Sequence, residues 1–326
     1  MQKKFTAAAT AVAFGAAFGV GSGTSVNAAV VCPPGVTNPA YCSVVPDPQP
    51  KDVVLPPGGG SGQETPVDAT TAPVTIKGDG GNYNLVVQGD QPVTIEINGG
   101  GNTITASGDR STVSLGGDRN RVTLTGDRSQ VTLSGSNNTV RATGDGATVR
   151  ASGAANSITL GNGGGTVTAP GPNQVVRSGN GADRVSVGAG SDVRSGGGRD
   201  TVTVRTAATT RQAKGKRIAI KTTRVDGGAG NDKITVRVKT AVVIKGGSGN
   251  DILVGGSGRT TIEGGAGNDR ITAGKGVTSI KAGAGNDTIS ARNGKIDTID
   301  GGAGRDTATV DRGDKVSNVE NVKRGS

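Results

Sequence analysis

Residues 113–135 read Val113-Ser114-Leu115-Gly116-Gly117-Asp118-Arg119-Asn120-Arg121, Val122-Thr123-Leu124-Thr125-Gly126-Asp127-Arg128-Ser129-Gln130, Val131-Thr132-Leu133-Ser134-Gly135. Apolar residues stand at i and i+2, and the pattern restarts every nine residues. The period runs without a gap through Ile104, Val113, Val122, Val131, Val140, Val149, Ile158 and Val167. Two residues on come Ala106, Leu115, Leu124, Leu133, Ala142, Ala151, Leu160 and Ala169. Residues i and i+2 share one face of a strand. The glycines that follow (Gly108, Gly117, Gly126, Gly135, Gly144, Gly153) permit a sharp turn. No helix carries this pattern. The expectation is an all-β fold, a parallel β-solenoid (β-roll or β-helix) of nine-residue repeats over 74–174. Its looser start is Val74/Ile76, Leu85/Val87 and Ile95/Ile97.

Composition agrees. Glycine takes 59 of 326 positions, aromatics are 2%, and Trp and His are absent. Such a chain cannot bury an aromatic-rich core. It is either disordered or stacks a small repeated unit, and the period decides for the second. The outward positions are Thr105, Ser114, Thr123, Thr132, Arg141, Arg150, Thr159 and Thr168. A flat Thr array suits ice binding, but Thr is also simply a good exposed strand residue, and the arginines oppose an ice face.

Upstream, Lys3 and Lys4 precede an apolar stretch from Phe5 to about Val20 and a small-residue cleavage site at Val26-Asn27-Ala28. Residues 1–28 read as a secretory signal peptide. A membrane anchor fits less well, because the stretch is short, Ala/Gly-rich and ends in Gly21-Ser22-Gly23. No other transmembrane segment is expected. Without the two lysines the formal net charge falls from +10 to +8. Residues 29–73 then hold a disulfide loop and a linker. Cys32 and Cys42 suit one small disulfide in an oxidising exterior, and 43–65 form a Pro/Gly-rich tether.

From about residue 175 the unit changes. Eight segments match Gly-x-Gly-x-Asp, ending at Asp183, Asp192, Asp200, Asp232, Asp251, Asp269, Asp287 and Asp306. The fullest copies are Gly227-Gly228-Ala229-Gly230-Asn231-Asp232-Lys233-Ile234-Thr235 and Gly264-Gly265-Ala266-Gly267-Asn268-Asp269-Arg270-Ile271-Thr272. These residues resemble the RTX (repeats-in-toxin, haemolysin-type) nonapeptide calcium-binding family. The Ala/Gly/Arg-rich character and module order are similar to exported calcium-binding proteins of high-GC Gram-positive (actinobacterial) origin. The resemblance implies a parallel β-roll over 175–310, with Ca2+ ions between the turn loops of neighbouring coils.

The residue types suit that ion. Calcium takes six to eight oxygen ligands. Glycines let loop carbonyls converge, and aspartates on successive coils supply charge. The candidate ligand loops are Gly228 and Gly230 with Asp232, Gly247 and Gly249 with Asp251, and Gly265 and Gly267 with Asp269. Gly283 and Gly285 with Asp287, and Gly302 and Gly304 with Asp306, complete the set. These five aspartates are separated by one two-unit coil each time, which puts them on one edge and predicts up to four stacked sites. The units between them, such as Gly256-Ser257-Gly258-Arg259, keep the glycines but lack the acid. A competing reading makes the aspartates turn residues that cap their own backbone. It weighs more for Asp183, Asp192 and Asp200, whose spacing is irregular.

An interruption at 201–225 carries Arg205, Arg211, Lys214, Lys216, Arg217, Lys221 and Arg224. Its alternating flanks read as a protruding hairpin. That basic 205–224 surface suits either a polyanionic cell-wall or matrix polymer or plain solvation. Without aromatics, sequence-specific or single-stranded nucleic-acid recognition is not expected. Residues 311–326 lose the glycine register and read as a C-terminal cap.

With no His, Ser-His-Asp and Cys-His catalysis are excluded. Long apolar helices for a pore are absent from the sequence. The expectation is a secreted, extracellular calcium-binding repeat protein, non-enzymatic, with a structural or adhesive role at the cell surface or matrix. The alternatives are a lyase-like polysaccharide enzyme and an ice-binding solenoid.

Overall fold

The computed structural model describes residues 28–31, 43–46, 51–206 and 219–325. Residues 1–27 of the signal segment, Cys32 and Cys42, and residues 207–218 of the insertion lie outside the described residues. The chain divides into two units, Met1–Gln49 and Pro50–Ser326. In the first, Ala28–Val31 pairs antiparallel with Ser43–Pro46.

The second unit is a parallel β-solenoid. Its strands alternate between a 14-stranded and a 15-stranded sheet, so each coil contributes one strand to each. Val122 pairs with Ile104 below and Val140 above. Val131 pairs with Val113 and Val149 in the other sheet. The i, i+2 pattern explains the burial. In Thr112–Leu115, Val113 and Leu115 point inward and are buried, while Ser114 is exposed. Stacked coils thus bury a narrow column of Val, Ile and Leu, with strands about 4.8 Å apart. No helix among the described residues is long and apolar enough to cross a membrane.

The same column passes into the glycine-rich part. Val176, Val193, Val225, Ile244, Ile262, Ile280 and Ile299 follow Ile158 in unbroken register. The two solenoid segments therefore share one axis.

Three boundaries differ from the sequence expectation. The solenoid begins at Lys51, not 74, because Lys51–Val54 and Glu64–Asp68 already pair with the next coil. The Pro56-Pro57-Gly58-Gly59-Gly60 stretch is the turn of this first coil. Gly58 N and Gly60 N donate to Asp79 O and Gly81 O, and Gly58 and Gly59 have φ of 89° and 106°. Secondly, Thr201–Arg205 is not a hairpin arm. Its buried Val202 and Val204 join the core, and it pairs with strands on both sides. Thr223–Ala229 is likewise a solenoid strand. Beyond residue 218 the insertion returns to the solenoid edge, where Asn173 Nδ2 donates to Ala219 O and Lys221 N to Asn173 Oδ1. Thirdly, the 311–326 cap is a further coil, because Lys315–Ser317 and Asn321–Arg324 extend both sheets.

Candidate metal centre

Along one edge of the solenoid, the residue just before each strand of the 15-stranded sheet turns back toward the core. It faces the residue five positions earlier, at the end of the preceding strand. In the upstream coils small or apolar side chains fill this corner: Ala106 with Ser111, Leu124 with Ser129, Ala142 with Ala147, and Leu160 beside Gly165. A Cβ on Gly165 would lie 2.6 Å from Leu160 Cδ1, so the leucine side chain fills the corner that Gly165 leaves open. Downstream the bulk changes sides. Leu160 gives way in register to Ser178, Ser195 and then Gly227, and Gly165 to Asp183, Asp200 and Asp232. The carboxylate now occupies the space the leucine vacated.

The result is a continuous ladder. Asp183 N donates to Asp200 Oδ1, Asp200 N to Asp232 Oδ1, Asp232 N to Asp251 Oδ1, and Asp251 N to Asp269 Oδ1, each at 2.8 Å. Asp269 N donates to Asp287 Oδ1 at 2.7 Å and Asp287 N to Asp306 Oδ1 at 2.8 Å. Gly165 N joins at one end, to Asp183 Oδ1. Glu320 Oε2 accepts from Asp306 N at the other. All seven aspartates are at most 2% exposed.

Each carboxylate is thus satisfied at Oδ1 only. The Oδ2 atoms of Asp183, Asp200, Asp232, Asp251, Asp269, Asp287 and Asp306 are buried without a hydrogen-bond partner among the described residues. A buried polar atom left bare costs about 1–3 kcal/mol, and a cation between the coils would relieve that cost. Carbonyl oxygens converge on the same space. A Cβ on Gly227 would meet Asp232 Oδ2 at 2.5 Å and Gly246 O of the next coil at 2.6 Å. The same pair of oxygens, a carboxylate Oδ2 and the next coil's carbonyl, crowds the Cβ positions of Gly246, Gly264 and Gly301.

The loop glycines are equally constrained. Gly247 has φ of 117°, and a Cβ on it would collide with Gly228 O, so only glycine lets adjacent loops stack. Gly228, Gly230, Gly249, Gly265, Gly267, Gly283, Gly285, Gly302 and Gly304 share the positive φ.

Burial raises the carboxyl pKa values. Asp200 and Asp269 are pushed up to about 7 and Asp251 to about 6, chiefly by desolvation, with neighbouring carboxylates adding repulsion. Asp183, Asp232 and Asp287 move the same way for the same first cause. Among the described residues no three acidic, Cys or His side chains converge on one point. The donor set is instead one carboxylate oxygen per coil plus backbone carbonyls. That all-oxygen set, with no nitrogen or sulfur, fits a hard divalent cation such as Ca2+.

The structure brings together all of the expected edge aspartates, and Asp183 and Asp200 with them. Asp192 falls outside. It starts the strand Asp192–Arg194 in the other sheet, between Val175 and Arg224. Two features escaped the sequence reading. Glu320 ends the ladder from a coil without the glycine motif. On the opposite edge, Asn102, Asn120, Asn138, Asn156 and Gln174 are fully buried and form a side-chain amide ladder. Their regular one-coil spacing was the available signal.

Two family models match. The RTX calcium-binding nonapeptide repeat matches in four copies, at 224–235, 245–280, 263–295 and 276–308. A protein family of unknown function (DUF3060) matches 97–142 and 133–192, largely the coils without ladder aspartates. No curated protein and no solved structure matches the chain. RTX nonapeptide repeats bind calcium ions. The glycine-turn, carboxylate-ladder coils over residues 224–308 are RTX calcium-binding nonapeptide repeats.

Proposed function

We propose that this is an exported protein whose solenoid is completed by calcium outside the cell, serving a structural or adhesive role at the cell surface or in the matrix. The observation that carries the calcium reading is the row of buried, partnerless Oδ2 atoms from Asp183 to Asp306. Asp232, Asp251, Asp269, Asp287 and Asp306 would hold the ions, with carbonyls of the loops between coils. Asp183 and Asp200 extend the same ladder upstream of the matched repeats. A bound ion supplies positive charge between stacked carboxylates, and coil stacking and ion binding become one equilibrium. Affinities of extracellular modules, Kd of about 10⁻⁴–10⁻³ M, would keep the protein open where calcium is scarce and close it outside.

The adhesive part of the proposal rests on charge. Arg141, Thr159, Arg177 and Arg194 stand in register on one sheet face, and the sequence carries a basic insertion at 205–224. Three arginines on one face of the stacked coils suit an anionic polymer.

Isothermal titration of the full chain with calcium, followed by far-ultraviolet circular dichroism and thermal melts, tests the reading. Saturable binding of several ions with a rise in Tm is expected. Absence of binding at 10-fold above the range about 10⁻⁴–10⁻³ M overturns it.

A further inference from the structure

The position five residues before each ladder aspartate is not uniform along the solenoid. In register it reads Ser178, Ser195, Gly227, Gly246, Gly264, Ala282 and Gly301. At the four glycines there is no side chain, and the bare carboxylate Oδ2 and the next coil's carbonyl share the free space. A Cβ there would stand within 2.6 Å of both oxygens at Gly227, closer than carbon and oxygen approach without displacement. Ala282 is fully buried at this position. It carries a methyl group at the register position that glycine occupies in the other motif coils, and Asp287 Oδ2 is also partnerless.

We propose that Ala282 closes the calcium cradle of the Asp287 coil, so that the column of ions is interrupted there. The inference rests on the calcium reading of the ladder. Asp287 Oδ2 and the carbonyl of Gly301 cannot draw together around a small cation as Asp232 Oδ2 and Gly246 O can. The Asp232, Asp251 and Asp269 coils form one group of sites, and the Asp306 coil stands alone. The serine coils follow the same logic in another form. Ser178 Oγ donates to Ser195 O and lies beside the Asp183 carboxylate, lowering its pKa against the effect of burial. There a hydroxymethyl group fills the corner that glycine leaves open downstream.

Calcium stoichiometry of the full chain, measured by equilibrium dialysis for wild type and Ala282→Gly, tests the proposal. The variant is expected to bind one more ion per chain and to gain more Tm from calcium. Gly246→Ala is expected to lose one ion, with an unchanged circular dichroism spectrum in calcium-free buffer as the control for folding. Equal stoichiometry in wild type and Ala282→Gly overturns the role of Ala282 and leaves the calcium reading standing. Absence of calcium binding by all three proteins overturns both.

Discussion

The amide of Asp251 donates to Oδ1 of Asp269 at 2.8 Å, while Oδ2 of Asp269 is buried with nothing to accept from. One carboxylate therefore does two separable jobs. Its Oδ1 ties two coils together, and its Oδ2 faces the space for an ion. Asp269→Asn keeps an acceptor and removes the charge. Asp269→Ala removes both. In calcium both variants should melt below wild type. In calcium-free buffer at pH 8 Asp269→Asn should equal or exceed wild type, because it buries no charge. Asp269→Ala should lose about 1–3 kcal/mol in either buffer through the orphaned Asp251 amide. Denaturant titration in the two buffers separates the cases.

The pH dependence follows from the same burial. Asp200 and Asp269 titrate at about 7 and Asp251 at about 6 in the calcium-free fold, against about 3.9 for an unfolded aspartate. Between these values the folded state binds more protons than the unfolded one, so stability falls as pH rises. Their stabilising effect is fully present below about pH 4 and is lost through pH 7. The calcium-free Tm should therefore drop between pH 4.5 and 7.5. With saturating calcium the trend should reverse, because the ion competes with those protons.

The opposite edge offers a control that calcium should not touch. Asn120 Oδ1 accepts from Asn102 N at 2.9 Å and Asn102 Nδ2 at 3.0 Å, and its own Nδ2 donates to Gly116 O and Gly117 O. Asn120→Ala leaves buried backbone groups unpaired and should cost about 1–3 kcal/mol or more. The loss measured by denaturant melts should be the same with and without calcium.

These two edges also mark what was legible in the sequence. The Val/Ile/Leu spacing at i and i+2 disclosed the solenoid, because a column two side chains wide admits no other pattern. The one-coil spacing from Asp232 to Asp306 disclosed one edge of the site. The irregular step from Asp183 to Asp200 weakened the case for both, since the shortened coil is absorbed in the Gly188–Ser191 turn. The first coil was missed because Pro56 to Gly60 carry the composition of a tether, although Leu55 and Ala69 of that coil are buried in the core and Val53 and Val67 pack against it. Thr201–Arg205 was assigned to a hairpin because its alternation is the same in a hairpin and in a coil. Glu320 was invisible because its side chain reaches Asp306 from a coil that has lost the glycine turn.

Glu320 itself supports a local prediction. It is exposed, yet its Oε2 is the acceptor for Asp306 N at 2.7 Å. Glu320→Ala should accelerate hydrogen exchange at the Asp306 amide while leaving Asp251 and Asp269 amides protected. Global stability should change by less than about 1 kcal/mol, as expected for a surface group.

A solenoid is quasi-one-dimensional, each coil contacting only its neighbours, so its parts can open separately. Coils 103–160 carry their own corner fillers, Leu124 and Leu160 on one edge and the Asn102–Asn156 ladder on the other. Coils 227–308 instead leave bare carboxylates facing the core. Withdrawal of calcium should therefore strip hydrogen-exchange protection from 227–308 first. Strands Thr103–Ala106 to Ser157–Leu160 should stay protected, and the frontier should fall at Ser178 and Ser195. Simultaneous loss of protection across both parts would instead make the rod one cooperative unit, with the junction at Asp183 and Asp200 transmitting the loss.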